Sequence, residues 1–273
     1  MAKPLTIPMI GGIPKINAAF YGPGGVGKTT LAAGFATHPL TSPALWIDCY
    51  GNPHLLVLNE SIQYGFTLED WRDMEKPIDF FMSKQPANHP MRKDWGIPDD
   101  VVFRSVIIDT LSDEQRLLID YIIEKKPGRD TDLVKIEAKV HGAEIGGTTL
   151  HLVRQLLSCP VHTIVTYQLY EKLNFVGDDK GSIVSVGSKN EISLWGSSRQ
   201  IIPPWHNLMA ELVFEEQLIR QGNKMVRKPV LVAYFRDTRS IGKNQLSPSM
   251  GEKMEDPTAE KILAYIEKDW SEA

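Results

Sequence analysis

The sequence predicts an α/β protein built on a central, mainly parallel sheet, with helices on its faces and an antiparallel hairpin near its C-terminus. Three observations carry this prediction. A glycine-rich segment at 22–30 separates a strand-like run from a helix-like run, two apolar runs end in aspartates, and strand-like runs at 211–215 and 230–235 flank a Gly-Asn turn. With 273 residues, 42% of them hydrophobic, the chain is long enough to bury a large core.

Composition along the chain predicts three parts. Residues 1–15 form an N-terminal arm, residues 16–250 form the core, and residues 251–273 form a C-terminal helix. Asp256 is expected to cap that helix, because a proline follows it at the first turn. Within the core, the polar, Gly- and Ser-rich stretch at about 174–200 is expected to be a flexible loop.

The glycine-rich segment, GPGGVGKTT, fits the pattern G-x-x-x-x-G-K-[ST] and lies between a strand and a helix, as that pattern requires. Its glycines let consecutive backbone N–H groups point at an anion. Lys28 adds positive charge for the β- and γ-phosphates, and the Thr29 hydroxyl is a ligand for Mg²⁺. A turn that merely ended a strand would need neither residue. The predicted site for ATP and Mg²⁺ comprises Gly22, Pro23, Gly24, Gly25, Val26, Gly27, Lys28, Thr29 and Thr30.

Two buried-strand patterns end in an acid. The run at 44–48 ends at Asp48, and the run at 102–109 has three consecutive β-branched residues before Asp109. In P-loop proteins the acid of such a second strand holds Mg²⁺, directly or through water. An ordinary buried strand followed by a turn acid would give the same pattern. Because a complete P-loop precedes it, we expect Asp109 to bind the metal and to serve catalysis.

Two polar residues beyond these strands have both a structural and a catalytic interpretation. Ser112 and Gln115 have the spacing of a capping box, which places Glu114 in a first helical turn, where the helix dipole favours acids. Glu114 would instead polarise the attacking water if it faced the nucleotide. Gln168 follows a third buried strand at 161–166, and either senses the γ-phosphate or meets solvent.

Charge and composition limit the remaining functions. The net charge of −4 excludes a wholly basic nucleic-acid binder but allows a local basic surface. No apolar stretch is long enough to cross a bilayer, and the N-terminus does not fit a signal peptide. Cys49 and Cys159 both lie beside apolar runs, as buried free thiols do. We therefore expect a cytoplasmic protein that does not bind membranes.

Two segments favour single-stranded DNA as a partner. In the stretch 170–199 cations are interleaved with aromatic residues, an arrangement that suits phosphate contact and base stacking. A solvated loop with anchoring aromatics explains this stretch equally well. Residues 217–243 carry seven cations and one acid, a local excess of six within an acidic chain. The cations expected to contact nucleic acid or a neighbouring subunit are Arg227, Lys228, Arg236, Arg239 and Lys243.

These features resemble the RecA/RadA recombinase core. The resemblance rests on the P-loop, the strands that end in Asp48 and Asp109, the strand before Gln168, and a hairpin that ends with Arg-Asp-Thr-Arg at 236–239. The chain looks most like the compact bacteriophage ATPases of that class, which are encoded beside single-strand annealing and DNA-binding proteins. The resemblance covers roughly residues 14–245.

The resemblance implies an ATPase that acts on single-stranded DNA in phage recombination, repair or replication, in the host cytoplasm. A phage single-strand annealing or single-strand-binding protein would be a partner. It also implies a homo-oligomer in which a basic residue of one subunit completes the nucleotide site of the next. Arg236, Arg239 and Lys243 lie where such a residue is expected.

One position departs from the resemblance. RecA-type cores usually carry a water-activating glutamate two positions beyond an acid such as Asp48, whereas this chain has Tyr50 there. Tyrosine, with a pKa of about 10, is no base at neutral pH. Either Asp48 or Glu114 activates the water, or hydrolysis is slow and the nucleotide acts as a switch for DNA binding. A P-loop kinase is the other alternative, although the stretch 174–199 contains only one arginine for a lid.

Overall fold

The computed structural model describes residues 8–49, 63–124, 138–177, 183–194, 197–221, 224–235 and 242–271. The elements of the first half are β1 (Met9–Ile10), β2 (Ile13–Pro14), β3 (Asn17–Gly22), α1 (Lys28–Thr37), β4 (Ala44–Asp48), β5 (Tyr64–Thr67), a 3₁₀ turn (Trp71–Met74), α2 (Glu75–Met82), α3 (Pro90–Asp94), β6 (Ser105–Asp109) and α4 (Leu111–Glu124). Those of the second half are α5 (Ala138–Ser158), β7 (His162–Gly177), β8 (Ile183–Ile192), α6 (Ser198–Ile201), a 3₁₀ turn (Pro203–Trp205), β9 (Leu208–Gln221), β10 (Lys224–Tyr234), β11 (Lys243–Asn244), a 3₁₀ turn (Pro248–Met250), β12 (Lys253–Glu255) and α7 (Ala259–Ser271).

The central sheet has the strand order β5-β4-β6-β7-β3-β9-β10-β12. From β5 to β9 neighbouring strands are parallel, and β10 is antiparallel to both β9 and β12. The sheet and its flanking helices confirm the predicted fold class. The P-loop strand β3 is separated from the strand of Asp109 by β7 alone, so the glycine loop and this acid meet at one edge of the sheet.

Each face of the sheet is covered by its own apolar layer. Successive residues of a strand point to opposite faces, so Val106 and Ile108 of β6 belong to one layer and Ile107 to the other. The first layer includes residues of α2 and α5, and the second includes residues of α1 and α7. Both layers bury large aromatic side chains, and this packing fixes the strands whose ends form the site.

The C-terminal helix begins later than the sequence predicts. Residues 253–255 pair with β10 as strand β12, and the helix starts at Ala259. Asp256 is therefore not its N-cap. The hydroxyl of Thr258 accepts the N–H of Lys261 at 3.2 Å and takes that role. The division of the chain into arm, core and C-terminal helix stays a prediction, and both β12 and α7 pack on the core.

The predicted loop at 174–200 differs most from the structure. Strand β7 continues to Gly177, and β8 runs antiparallel to it with Leu169 opposite Ile192. The Gly and Ser content of this stretch suggested a loop, but alternate apolar residues in Ile183-Val184-Ser185-Val186 suit a strand. In the antiparallel pair the backbone groups hydrogen-bond to the neighbouring strand, whereas in a loop they would hydrogen-bond to water.

Two hairpins flank the glycine loop. Gly22, the last residue of β3, lies beside Gln168 of β7, and Tyr21 lies beside Glu211 of β9. Both neighbouring strands run parallel to β3 and continue past it, β7 into its pairing with β8 and β9 into its pairing with β10. The turn predicted near 222–223 lies outside the described residues, and Gln221 and Lys224 on either side of these positions pair with each other. The two hairpins therefore project from the sheet edge at which the P-loop lies.

Candidate nucleotide-binding site

Each end of the loop requires glycine, the first for close packing and the last for its backbone conformation. A Cβ added at Gly22 would lie 2.5 Å from the carbonyl oxygen of Leu212 in β9, which is a severe clash. Gly27 has φ 103°, a left-handed conformation that side chains rarely adopt, and it precedes the first residue of α1. The first and last glycines of the motif thus let the chain turn tightly from β3 into α1.

The loop presents the amino end of α1 to the solvent. Pro23, Gly24 and Gly25 are exposed, whereas Val26 is buried and anchors the loop. No side chain caps α1, and its first turn carries no acid. Its first N–H groups are therefore directed at any bound anion, where the helix dipole adds to their attraction. Thr30 is exposed on this turn.

Lys28 lies over the loop with its ammonium group largely buried. Its Nζ donates hydrogen bonds of 2.8 Å to the carbonyl oxygens of Gly22 and Pro23. Burial lowers the pKa of Lys28, while the charges of Asp109 and Asp113 act in the opposite direction. A phosphate close to this ammonium would add a further negative charge and favour the protonated form.

Asp109 links three elements at the edge of the sheet. Its Oδ2 accepts a 2.7 Å hydrogen bond from the Thr29 hydroxyl, and its Oδ1 accepts one from the Thr166 hydroxyl of β7. Burial raises the pKa of Asp109, and the two hydroxyl donors lower it. Asp109 Oδ2 and Thr29 Oγ1 are adjacent hard oxygen atoms, which is the donor set that Mg²⁺ prefers.

Asp48 lies directly beside Asp109. The two residues are partners in the parallel pairing of β4 with β6, and both are buried. The Thr67 hydroxyl is 3.5 Å from Asp48 Oδ2. The charge of Asp48 contributes to the raised pKa of Asp109. The structure thus brings together two acids that the sequence placed only at the ends of separate strands.

The capping box predicted at Ser112 and Gln115 is wrong. The helix α4 begins at Leu111, and the hydroxyl of Thr110 accepts the N–H of Asp113 at 3.3 Å. The Ser112 hydroxyl instead accepts the N–H of Gln168 at 3.1 Å, across to β7. Gln115 Nε2 donates to the Thr149 hydroxyl of α5 at 2.9 Å. These tertiary contacts place the cap two residues earlier than the local pattern suggested.

Glu114 is buried to 1% exposure, and its carboxyl group has no hydrogen-bond partner among the described residues. Burial raises the pKa of this group to about 8. Its charge, when present, acts on the buried thiol of Cys49, the residue after Asp48. Glu114 is therefore mostly protonated and neutral at pH 7. Because it is buried, it is not a solvated acid in the first turn of the helix.

Gln168 is the direct neighbour of Gly22 in the sheet and is partly buried. The strand does not end there as predicted, because β7 runs on to Gly177. Thr166, two residues earlier and on the same face, was not identified from the sequence. The available signal was a hydroxyl two positions before Gln168, on the side of the strand that Gln168 also faces.

The three predicted basic residues that the structure describes do not form one surface. Arg227 and Lys228 are adjacent in β10, so their side chains point to opposite faces of the hairpin, and Arg227 contacts Glu216 of β9 at 3.3 Å. Lys243 pairs with Met209 near the start of β9, and its ammonium donates to the Pro204 carbonyl at 2.9 Å. It lies at the other end of β9 from the hairpin tip. Arg236, Arg239 and Tyr50 lie outside the described residues.

The glycine loop between strand and helix, with Lys28, Thr29 and the strand-end Asp109 around it, defines a P-loop NTPase domain. A family model described as AAA domain matches residues 15–240, and the chain belongs to this family. Membership implies that the chain binds nucleotide. No curated protein matches the chain. Within the residues that the structure describes, no helix is both long and apolar enough to span a bilayer.

Proposed function

We propose that this protein binds ATP with Mg²⁺ at the P-loop and hydrolyses it. The observation that carries the proposal is the pairing of Thr29 with Asp109 beside the ammonium of Lys28. This arrangement puts one cation and two oxygen ligands next to the amino end of α1. Phosphate binding and metal binding are thereby supported at a single point of the sheet edge.

The residues have separate roles in this proposal. Backbone N–H groups of the loop bind the phosphates, and Lys28 transfers hydrogen bonds from the carbonyls of Gly22 and Pro23 to phosphate oxygens. Thr29 and Asp109 hold Mg²⁺, and Thr166 orients the carboxylate of Asp109. When bound, the metal neutralises charge on the phosphates. Gln168, beside Gly22, is placed to sense the γ-phosphate.

In this proposal, either Asp48 or Glu114 activates the water that attacks the nucleotide. Asp48 lies beside Asp109. A metal ion held by Asp109 would attract the carboxylate of Asp48 as well and so compete with the water for it. Glu114 has a pKa of about 8, close to that of an effective general base, but its carboxyl must first lose its proton and reach the nucleotide. The buried, neutral state of Glu114 favours a second candidate function, in which hydrolysis is slow and bound ATP acts as a switch.

Binding and turnover of ATP by the full chain, with and without Mg²⁺, test the proposal. Lys28→Ala should reduce ATP affinity by about two orders of magnitude. The exposed lysine of α3, Lys93, supplies the control variant Lys93→Ala, which should bind as the wild type does. Unchanged affinity in a folded Lys28→Ala protein would overturn the P-loop assignment. Tight binding without turnover would favour the switch.

We further propose single-stranded DNA as the partner, in phage recombination, repair or replication. The seven cations at 217–243 support this, and Arg220, Arg227 and Lys228 are exposed on the hairpin. A homo-oligomer, a phage annealing or single-strand-binding protein as partner, and a host cytoplasm remain part of the same proposal. The buried free thiols of Cys49 and Cys159 suit a reducing compartment.

DNA affinity measured against salt concentration tests this second proposal. Each phosphate contact releases counterions, so losing one cation should flatten the salt slope by about one unit. Because Arg227 and Lys228 face opposite sides, only one of the variants Arg227→Ala and Lys228→Ala should flatten the slope. An absence of binding at low salt, with ATP and Mg²⁺ present, would refute the DNA role without affecting the ATPase proposal.

A further inference from the structure

The outer edge of β10, on the side away from β9, is only partly covered. Strand β12 pairs with residues 232–234, and the N–H of Asp256 donates to the Leu231 carbonyl at 2.8 Å just beyond the end of β12. Within the described part of the chain, no strand pairs with residues 224–230 on this side. We call this stretch the open edge. An open strand edge presents backbone N–H and C=O groups that can pair with another extended chain.

The hydrogen bonds to the segment of β12 show which backbone groups lie on the open edge. Leu231 accepts and Phe235 donates a backbone hydrogen bond of 2.8 Å on that side, so the odd-numbered residues of β10 turn their N–H and C=O groups away from β9. The same alternation places the backbone groups of Met225 and Arg227 on the open edge. Pro229 fits this assignment, because a strand tolerates proline where the missing N–H would face outward.

The side chains along the open edge are exposed and of two kinds. Met225 and Val226 are apolar, with exposed fractions of 62% and 39%, and they are followed by the exposed cations Arg227 and Lys228. Because successive residues of a strand point to opposite faces, each face of the hairpin receives one apolar and one cationic side chain from these four residues. Leu218 of β9, opposite Arg227, adds a third exposed apolar side chain.

Charge indicates which extended chain the open edge fits. Residues 217–243 carry seven cations and one acid. Arg227 lies 3.3 Å from Glu216, but both side chains are exposed, and such a surface ion pair adds little stability. Two copies of the open edge would bring like charges together, which opposes pairing between copies. Acidic side chains in an added strand would instead lie beside Arg227 and Lys228.

The backbone groups and apolar side chains of the open edge favour a protein segment over a nucleic acid. An added strand would pair with the N–H and C=O groups of Met225 and Arg227, and its alternate side chains would cover Met225 on one face and Val226 on the other. Single-stranded nucleic acid binds through phosphate contacts with cations and through stacking of bases on rings. Neither contact uses an edge N–H group or an aliphatic side chain.

The open edge ends close to the nucleotide site. Leu231, the next residue of β10, has its Cδ2 3.6 Å from the position that a Cβ would take at Gly27. Leu231 also packs on the apolar layer that includes residues of α1. A chain bound along the open edge would therefore lie near the P-loop.

We propose that the open edge binds an extended, acidic segment of a partner protein, which joins the sheet as an additional strand beside β10. The segment carries apolar side chains that cover Met225 and Val226, and carboxylates that lie beside Arg227 and Lys228. This interaction goes beyond the proposed function, since it requires neither ATP hydrolysis nor single-stranded DNA.

Fluorescence anisotropy of a labelled synthetic peptide, mixed with the full chain, tests the proposal. The probe has about eight residues, enough to cover the open edge, and alternates glutamate with valine. It should bind, whereas a matched peptide of lysine and valine should not. Methylating every amide nitrogen of the probe removes its backbone donors and keeps its charges, so the methylated probe should bind at least about tenfold more weakly. Equal affinity of the two glutamate probes would overturn the proposal.

Variants of the open edge supply a second test. Met225→Pro removes an outward N–H and no charge, as Pro229 already does at an equivalent position, and it should lower probe affinity by about tenfold. Met225→Leu keeps both the N–H and an apolar side chain, and it should bind as the wild type does. Arg227→Gln keeps the N–H but loses the charge, so it should bind the probe more weakly and with less dependence on salt.

Melting temperature and ATP affinity should stay at the wild-type values in all three variants, which separates this test from the ATPase proposal. Equal probe affinity of Met225→Pro and Met225→Leu would overturn the strand pairing. Amide hydrogen exchange tests the same pairing without a substitution. The bound probe should slow exchange at Arg227, whose N–H lies on the open edge, and leave Lys228, which already pairs with Gln217, unchanged. Unchanged exchange at Arg227 in the complex would also overturn it.

A single-stranded oligonucleotide distinguishes the two classes of ligand. Its affinity should be the same for Met225→Pro and Met225→Leu, because phosphate contacts do not use the N–H of residue 225. If the oligonucleotide bound at low salt and the glutamate probe did not bind at all, the hairpin would be a nucleic-acid surface, and the proposal of a protein segment would be wrong.

Discussion

The hydroxyl of Thr29 donates a 2.7 Å hydrogen bond to Asp109 Oδ2, although 80 positions separate the two residues in the chain. Thr29 lies in the first turn of α1 and Asp109 ends β6, so the contact joins the two predicted halves of the site. A hydroxyl and a carboxylate held this close can share one Mg²⁺ ion.

Asp109→Asn should therefore remove the Mg²⁺-dependent part of ATP affinity. We expect a loss of about tenfold or more with Mg²⁺ and little change without it, because the amide keeps the shape but loses the charge. Calorimetric titration in the two conditions measures both values. Asp120→Asn, at an exposed position of α4, is the control and should behave as the wild type. Equal losses in both conditions would make Asp109 a structural acid.

Thr166→Val should weaken Mg²⁺-dependent binding less than Asp109→Asn does. Valine has nearly the shape of threonine but cannot donate to Asp109 Oδ1, and losing one hydrogen bond costs about 1 kcal/mol, or roughly fivefold in affinity. Thr163→Val in the same strand is the control, since that hydroxyl lies 3.5 Å from the Leu156 carbonyl and outside the site. Identical effects of the two changes would show that Thr166 only packs.

The fold class and the P-loop were predictable because local signals carry them. A strand, a glycine loop and a helix are contiguous in 16–36, and the β-branched residues before Asp109 favour a strand. Asp48 and Asp109 were each expected at the end of a buried strand, and the parallel pairing of β4 with β6 makes them neighbours. Such features need only short-range patterns and a general rule of sheet architecture.

The features that were missed depend on contacts between distant segments. Ser112 has the spacing of a cap, but the N–H of Gln168 takes its hydroxyl. Strand β8 is stabilised by pairing with β7, which Gly and Ser content alone does not reveal. Glu114 is buried where α4 packs against β7 and α5, and a first-turn acid gives no local sign of this burial.

Arg92→Lys should destabilise the fold without affecting the nucleotide site. Arg92 is 3% exposed, and its guanidinium donates to the carbonyl oxygens of Gln85, Pro86, Pro98 and Val101. A lysine keeps the charge but cannot reach four acceptors in a plane. We expect the free energy of unfolding to fall by about 3 kcal/mol, because buried polar groups lose their partners.

Urea unfolding measures this change. Arg72→Lys is the control, because the Arg72 side chain is 56% exposed and its ion pair with Asp70 lies at the surface. That variant should leave the free energy of unfolding close to the wild-type value, because solvent screens an exposed ion pair. ATP affinity should stay at the wild-type value in both proteins. A stable Arg92→Lys protein would show that other groups hold the segment 85–101.

Glu114→Gln should change how stability depends on pH. The pKa of Glu114 is about 8 in the folded chain and 4.5 in the unfolded chain, so between these values only the folded chain keeps the proton. The unfolded state therefore binds fewer protons, and the free energy of unfolding of the wild type falls as pH rises through this window. A glutamine is neutral at every pH and removes this contribution.

The test compares urea unfolding of the wild type and Glu114→Gln at about pH 5 and about pH 8. We expect the wild type to lose several kcal/mol more than the variant between the two values, since burying a charge without a partner is costly. If the free energy of unfolding fell equally in both proteins, Glu114 would be ionised or solvated in the folded chain. Turnover adds a second result: if the deprotonated Glu114 activates water, ATP hydrolysis by the wild type rises towards pH 8, whereas Glu114→Gln binds ATP but does not hydrolyse it.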